Sequence, residues 1–285
     1  MRFRMRDRVL DLRDEARVMG IVNVTPDSFY ERVDGAEAAL ARARAIVADG
    51  ASIVDVGGQS YAAGTPIAGA EEERARVVPA IRAIARAGFD VAISVDTFTA
   101  SVADAALDAG AHLVNDCSGL ADPDLARVVA RHGAALVVMH VKGRLAVREP
   151  GRYVYDDPLA EISAFLRERA ERAIAAGVDR DAIAIDPGLE FGKEPETDAA
   201  ILARFGELTA LGHPVLLAAS RKSFLGRIVG KPASELLAAS LAAAAIGIAA
   251  GARLVRAHDV AETVDVARVL GAAARATRAD AERFS

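Results

Sequence analysis

Short apolar runs rich in β-branched residues alternate along the chain with longer stretches whose apolar positions recur every three or four residues. Runs of the first kind predict strands buried on both faces; stretches of the second kind predict amphipathic helices. Strands are expected at Val18–Val24, Ser52–Val56, Val91–Val95, His112–Asp116, Ala135–His140, Ala182–Asp186, Pro214–Ala218 and Ala252–Ala257. Helical stretches such as Glu37–Asp49, Glu71–Ala87, Ser101–Ala109 and Leu159–Ala176 fall between them. Gly50, Gly88, Gly110, Gly133 and Gly177 stand where a left-handed helix cap is expected. Strand–helix alternation is the sequence form of a parallel sheet with crossover helices, and eight repeats close naturally into a (β/α)8 TIM barrel of the α/β class. A doubly wound open sheet is the competing arrangement, but no Gly-x-Gly-x-x-Gly follows the first strand.

Composition narrows this picture. The 285 residues suit one barrel, which needs about 250. No composition break marks a second domain, so residues 1–285 are read as one unit, with a flap at about 1–16 across the barrel bottom. The 35 basic and 40 acidic residues give a net charge of −5, aromatics are 5% and Trp is absent. That balance excludes an electrostatic or base-stacking nucleic-acid binder. Cys117, the only cysteine, leaves no disulfide framework or Cys-rich metal site and is expected to pack as a small buried residue. Met1–Arg17 is charged and lacks the apolar run of a secretory signal, so a cytoplasmic protein is expected. Leu236–Ala252 is almost wholly small and apolar, yet it falls short of the ~20 residues a bilayer needs and contains Ser240. It reads as a helix packed within the chain or at a subunit interface. The charge runs Glu71–Arg82 and Arg167–Arg172 read as solvated helix faces.

Barrel chemistry sits at the C-terminal strand ends and the loops that follow. Those positions hold Asn23, Thr25 and Asp27; Asp55 and Gln59; Asp96 and Thr97; Asn115 and Asp116; His140; Asp186; Ser220, Arg221 and Lys222; and Arg256, His258 and Asp259. Asp96, Asn115 and Asp186 offer carboxylates and an amide suited to the N–H edge of a flat heterocycle such as a pterin or guanine. Arg256, His258, Lys222 and Asn23 form a second, cationic group near the join of the last and first strands, the usual phosphate side of this barrel. Asn23 also offers an oxygen to Mg²⁺, which takes few protein ligands beside phosphate and water. No activated nucleophile stands out: Cys117 has no base partner in sequence, and Lys222 lies in a polar run. His112, His132 and His213 lack metal-ligand spacing. Such a site suits departure of a good leaving group.

The strand-end motifs resemble those of the dihydropteroate synthase family. They are Gly20-Ile21-Val22-Asn23-Val24-Thr25-Pro26-Asp27-Ser28-Phe29, Asp55-Val56-Gly57-Gly58, Ser94-Val95-Asp96-Thr97 and Asn115-Asp116-Cys117-Ser118-Gly119. They continue through Met139-His140, Asp186-Pro187-Gly188 with Phe191-Gly192-Lys193, Ser220-Arg221-Lys222-Ser223-Phe224 and Arg256-Ala257-His258-Asp259. The resemblance implies a homodimeric transferase of folate biosynthesis. It would condense 6-hydroxymethyl-7,8-dihydropterin diphosphate with p-aminobenzoate and release pyrophosphate, with Mg²⁺ as cofactor. Asp96, Asn115, Met139, Asp186, Phe191 and Lys222 would hold the pterin. Asn23, Arg256 and His258 would hold the diphosphate, Asn23 also the metal, and Phe29, Phe191, Lys222 and Ser223 would border p-aminobenzoate. Asn23, Lys222, Arg256 and His258 would carry the chemistry.

Departures from the family pattern sit in the lids. Gln59-Ser60-Tyr61-Ala62-Ala63-Gly64 replaces Glu-Ser-Thr-Arg-Pro-Gly, and the loop from Tyr30 to Gly35 is short. Glu190 stands where the family has Gly, and Val141-Lys142-Gly143 replaces Met-Gln-Gly. An alternative is therefore a pterin-binding paralogue with altered or no p-aminobenzoate activity. A methyltetrahydrofolate-dependent methyltransferase would have no use for the cationic group.

Overall fold

The computed structural model describes residues 1–25, 35–61, 64–143, 145 and 153–283. An antiparallel hairpin, β1 (Arg2–Met5) and β2 (Arg8–Asp11), precedes the barrel. Phe3 and Met5 are fully buried, and the Arg6 guanidinium donates to the carbonyls of Leu107 and Ala111 at 2.9 Å each. The hairpin thereby lies against the N-terminal end of the barrel.

The barrel strands are β3 (Arg17–Asn23), β4 (Ile53–Gly57), β5 (Ala92–Asp96), β6 (Leu113–Asp116), β7 (Ala135–Met139), β8 (Ile183–Asp186), β9 (Leu216–Leu217) and β10 (Leu254–Ala257). All pairings among them are parallel, in the order β8-β7-β6-β5-β4-β3-β10-β9. One bridge, Ile185 with Val215, joins β8 to the approach to β9 and closes the ring. The fold is the expected TIM barrel, and each expected strand lies within two residues or so of an observed one. β9 is shorter than Pro214–Ala218; Pro214 has no N–H to give, and its carbonyl accepts from Ile185 N–H at 2.9 Å.

Helices α1 (Gly35–Ala48), α2 (Ala70–Arg86), α3 (Ala100–Asp108), α4 (Leu125–Arg131), α5 (Pro158–Ala175), α6 (Pro195–Ala203), α7 (Ser223–Val229), α8 (Leu237–Ala249) and α9 (Val260–Arg283) surround the strands. All five glycines expected at helix caps take positive φ. The Leu236–Ala252 stretch forms α8, which buries Ser240, Ala243, Ala244, Gly247 and Ile248 against the barrel. Among the described residues no helix is long and apolar enough to cross a membrane. The reading of Glu71–Arg82 as a solvated face fails at Glu73, which is fully buried in α2. Its carboxyl faces Thr97, Gln59 and Thr99, and burial pushes its pKa up to about 7. Charge spacing alone did not reveal that Glu73 sits on the inner stripe of its helix, four residues before Val77.

Candidate active site

Register brings the strand-end polar groups to one level. Asn23 pairs with Gly57, Gly57 with Asp96 and Asp96 with Asn115. Farther round, Met139 pairs with Asp186. Arg256 pairs with Met19, four positions nearer the barrel's N-terminal end than Asn23. The reach of an arginine side chain makes up that offset.

The expectation that Arg256 belongs to a cationic group separate from the carboxylates is therefore corrected. Arg256 Nε donates to Asp55 Oδ2 at 2.7 Å, and its Nη2 donates to Asp96 Oδ2 at 2.8 Å. Asn115 Nδ2 donates to the same Asp55 oxygen at 3.3 Å. Strand stagger, invisible in a list of strand ends, puts the guanidinium inside the carboxylate floor. Asp55, not among the residues expected to hold ligand, is the fully buried centre of this cluster; its sequence signals were its strand-end position and its place in the Asp55-Val56-Gly57-Gly58 motif.

Asp55 Oδ1 and Asp96 Oδ1 are buried with no hydrogen-bond partner among the described residues. Orphaned buried acceptors are costly unless a ligand supplies donors. Burial first, then the carboxylates of Asp55, Glu73 and Asp116 push Asp96 up to about 7, against the pull of Arg256. Asp186, also buried, accepts from Gly188 N–H at 2.6 Å, and burial raises its pKa. Lys222, whose pKa burial lowers, answers with positive charge beside Asp186; its Nζ donates to Leu189 O at 2.7 Å and lies 5.0 Å from the Phe191 ring centre. Met139, the register partner of Asp186, is buried. Asp96, Asn115, Asp186, Met139, Phe191 and Lys222 are thus all placed at or near one mouth, as expected from the sequence.

His258 is not the cation the sequence suggested. Burial and the charge of Arg256 hold it down at about 4, so it is neutral at pH 7. Its carbonyl accepts from Arg42 Nη2 at 3.1 Å. Arg221 is committed elsewhere, in a forked pair with Asp259 at 2.7 and 2.9 Å and in bonds to the carbonyls of Ala233 and Ser234. Asn23 ends β3, and a Cβ at Gly57 would sit 3.4 Å from its Oδ1 and 3.7 Å from Asp96 Oδ2. Gly57 thus leaves room beside the Asn23 amide oxygen, a donor of the type Mg²⁺ takes, while Asp96 Oδ2 is already held by Arg256. Among the described residues no group of three His, Cys, Asp or Glu side chains could hold a metal ion without added ligands. Cys117 is buried, and burial raises its thiol pKa well above the usual range, as a packing residue requires.

One support escaped sequence reasoning. Lys193, of the Phe-Gly-Lys motif, is buried with its Nζ bonded to Gly188 O at 2.7 Å, Phe191 O at 3.0 Å and His140 Nδ1 at 2.9 Å. His140, held down to about 2 by burial and by Lys193, is neutral and accepts that proton. The strut fixes the loop carrying Phe191 and Leu189. Gly188 and Gly192, at φ 66° and 67°, let the loop lie on the backbone after β7; a Cβ at either would strike the carbonyl of His140 or Lys142. In the altered lid, Gln59 Nε2 donates to the Tyr61 hydroxyl at 3.3 Å, and the Tyr61 ring lies 6.1 Å from that of Phe98. Burial and the nearby Cys117, Asp96 and Glu73 raise the phenol well above 10. Asp27, Phe29, Ala62 and Ala63 lie outside the described residues.

The pterin binding enzyme family matches residues 19–258. The chain belongs to that family. It is 39% identical over 266 residues to the dihydropteroate synthase of Bacillus subtilis (strain 168), covering 92% of this chain and 90% of that protein. It is 42% identical over 262 residues to "inactive dihydropteroate synthase 2" of Mycobacterium leprae (strain TN), covering 88% of each. The crystal structure of Thermus thermophilus dihydropteroate synthase in complex with 4-aminobenzoate matches with a TM-score of 0.83 at 40% identity, over 95% of this chain and 99% of that one.

Proposed function

We propose that the chain is a dihydropteroate synthase, a transferase that joins p-aminobenzoate to 6-hydroxymethyl-7,8-dihydropterin diphosphate and releases pyrophosphate. The observation that carries this reading is the floor of Asp55, Asp96, Asn115 and Arg256, with two orphaned carboxylate oxygens and Asp186 near it. The family and its synthase relatives support it. Asp96 and Asp186 take the N–H edge of the pterin, Asn115 orients Asp55, and Met139 and Phe191 cover the ring faces. When the methylene–oxygen bond breaks, the pair of electrons leaves with the diphosphate and positive charge develops on the pterin. Buried carboxylates already in place stabilise that charge without reorganisation. Arg256, bonded within the carboxylate floor, and Lys222, beside Asp186, would be the positive charges near the departing diphosphate, and His258 would donate from its neutral ring. The arylamine nitrogen, bordered by Phe191, Lys222 and Ser223, then forms the new C–N bond and gives up a proton to solvent. Asn23 would hold Mg²⁺, whose charge offsets that of the diphosphate when it is bound. No protein nucleophile is needed.

Incubation with the pterin diphosphate, labelled p-aminobenzoate and Mg²⁺ is expected to yield dihydropteroate and pyrophosphate. Product no greater than that of an Asp96→Ala control overturns the reading. The second reading, a paralogue that binds pterin without using p-aminobenzoate, draws on Tyr61 in the altered lid and on the 42% identical relative named inactive. It gives pterin binding by calorimetry with no turnover.

The enzyme is read as a cytoplasmic homodimer. The outer face of α8 presents Ala238, Ala242, Ile246 and Ala249, and Ile246 is 48% exposed. An apolar stripe of this kind suits an isologous contact. Ile246→Glu is expected to shift the elution volume from dimer to monomer; an unaltered volume removes α8 from the interface.

A further inference from the structure

The loop after β8 carries a carboxylate that the reaction above does not use. Glu190 has a φ of 71°, in the left-handed region where a residue bearing a Cβ is strained. Such a conformation persists only where the surroundings over-determine it, and here they do so at both ends. Glu190 N–H donates to the buried Asp198 Oδ1 at 2.9 Å. Glu190 Oε1 accepts from Ser223 Oγ–H and from Phe224 N–H, each at 2.7 Å. The side chain bridges the β8 loop to the first residues of α7, close enough to Lys222 to raise its pKa against the effect of burial.

Ser223 borders the arylamine in the proposed reaction, beside Phe191 and Lys222. Its hydroxyl and the neighbouring Phe224 amide are a donor pair of the sort that receives a carboxylate. The chain's own carboxylate already holds both. A tethered group competes at a high effective concentration against a free ligand, and a second carboxylate brought to the same donors meets like charge at short range. We propose that Glu190 is a specificity-determining residue for the acceptor. It occupies the Ser223–Phe224 donor pair, so the carboxylate of p-aminobenzoate gains no bond there and the enzyme hardly distinguishes carboxylated from uncharged arylamines. The proposal rests on the synthase reading.

The test compares 4-aminobenzoate with the uncharged 4-aminobenzamide, by calorimetry on protein saturated with pterin and pyrophosphate and by KM. Wild-type protein is expected to bind the two within about threefold of each other. Glu190→Gly, which also suits the left-handed φ, is expected to bind 4-aminobenzoate at least about tenfold tighter, as two charge-assisted bonds require, and the amide unchanged. Glu190→Gln, which keeps the bridge and drops the charge, gives a smaller gain in the same direction. Adding Ser223→Ala to Glu190→Gly removes most of the gain. An unchanged carboxylate-to-amide ratio in both Glu190 variants, with pterin binding retained, overturns the proposal alone. Failure of the wild-type protein to bind pterin overturns the synthase reading, and the proposal with it.

Discussion

Replacing Arg256 with leucine is expected to cost both stability and turnover, and the stability loss should depend on pH. The guanidinium is shared between Asp55 and Asp96, which are 0% and 7% exposed. Removing one partner of a buried ion pair leaves an uncompensated buried charge, typically worth about 3–5 kcal/mol. Here two carboxylates are stranded together, and each raises the cost of ionising the other. Asp96 is already raised to about 7 in the native protein, and without Arg256 it moves higher. A carboxyl whose folded pKa lies above its unfolded value favours the folded state least when ionised. The penalty is therefore full above the raised pKa and fades as the pH falls through it. Denaturant unfolding is expected to show the largest deficit against wild type near pH 8 and a smaller one near pH 6. Equal stability of variant and wild type at pH 8 would show that Arg256 does not neutralise the floor. Turnover should fall by at least about a thousandfold, because a transition-state electrostatic contact and the geometry of Asp96 go together.

Asp186→Asn separates binding from folding. The asparagine oxygen still accepts from Gly188 N–H, so the loop stays anchored, but the negative charge beside Lys222 is lost. A hydrogen bond to a charged group contributes about 1.5–3 kcal/mol, so losing the charge from two N–H contacts predicts at least about a hundredfold weaker pterin binding. The melting temperature should move by only a few degrees. Calorimetric titration with the pterin measures the first quantity and a thermal scan the second. Unchanged affinity would place the pterin elsewhere in the mouth.

Much of this site was legible in the linear sequence because a parallel barrel obeys a simple rule. Polar residues at the C-terminal ends of barrel strands gather at the mouth, so Asn23, Asp96 and Asn115 were found by position, and register then set them side by side. The cap glycines were legible for a similarly local reason, since positive φ is a property of one residue. What stayed hidden depended on displacement between elements. Arg256 reaches the acidic floor because strands are staggered, and stagger is a relation between strands with no local signal. Glu73 matched a surface charge run by spacing and is buried by the orientation of its helix. Lys193 was visible as part of a motif, but its three partners come together only when two loops stack through Gly188 and Gly192.

The ring of strands is sewn unevenly. β3 and β4 share five paired residues, whereas β8 meets the β9 side through the Ile185–Val215 bridge. Asp186 immediately follows one margin of that thin seam, and Lys222 stands in the loop beyond the other. A flat heterocycle gripping both residues would act as a clasp across the gap, supplying from outside the chain the cohesion that the backbone withholds there. The least fastened join among the described strands lies beside two of the groups proposed to hold the pterin, so the substrate would also be the final brace of the cylinder.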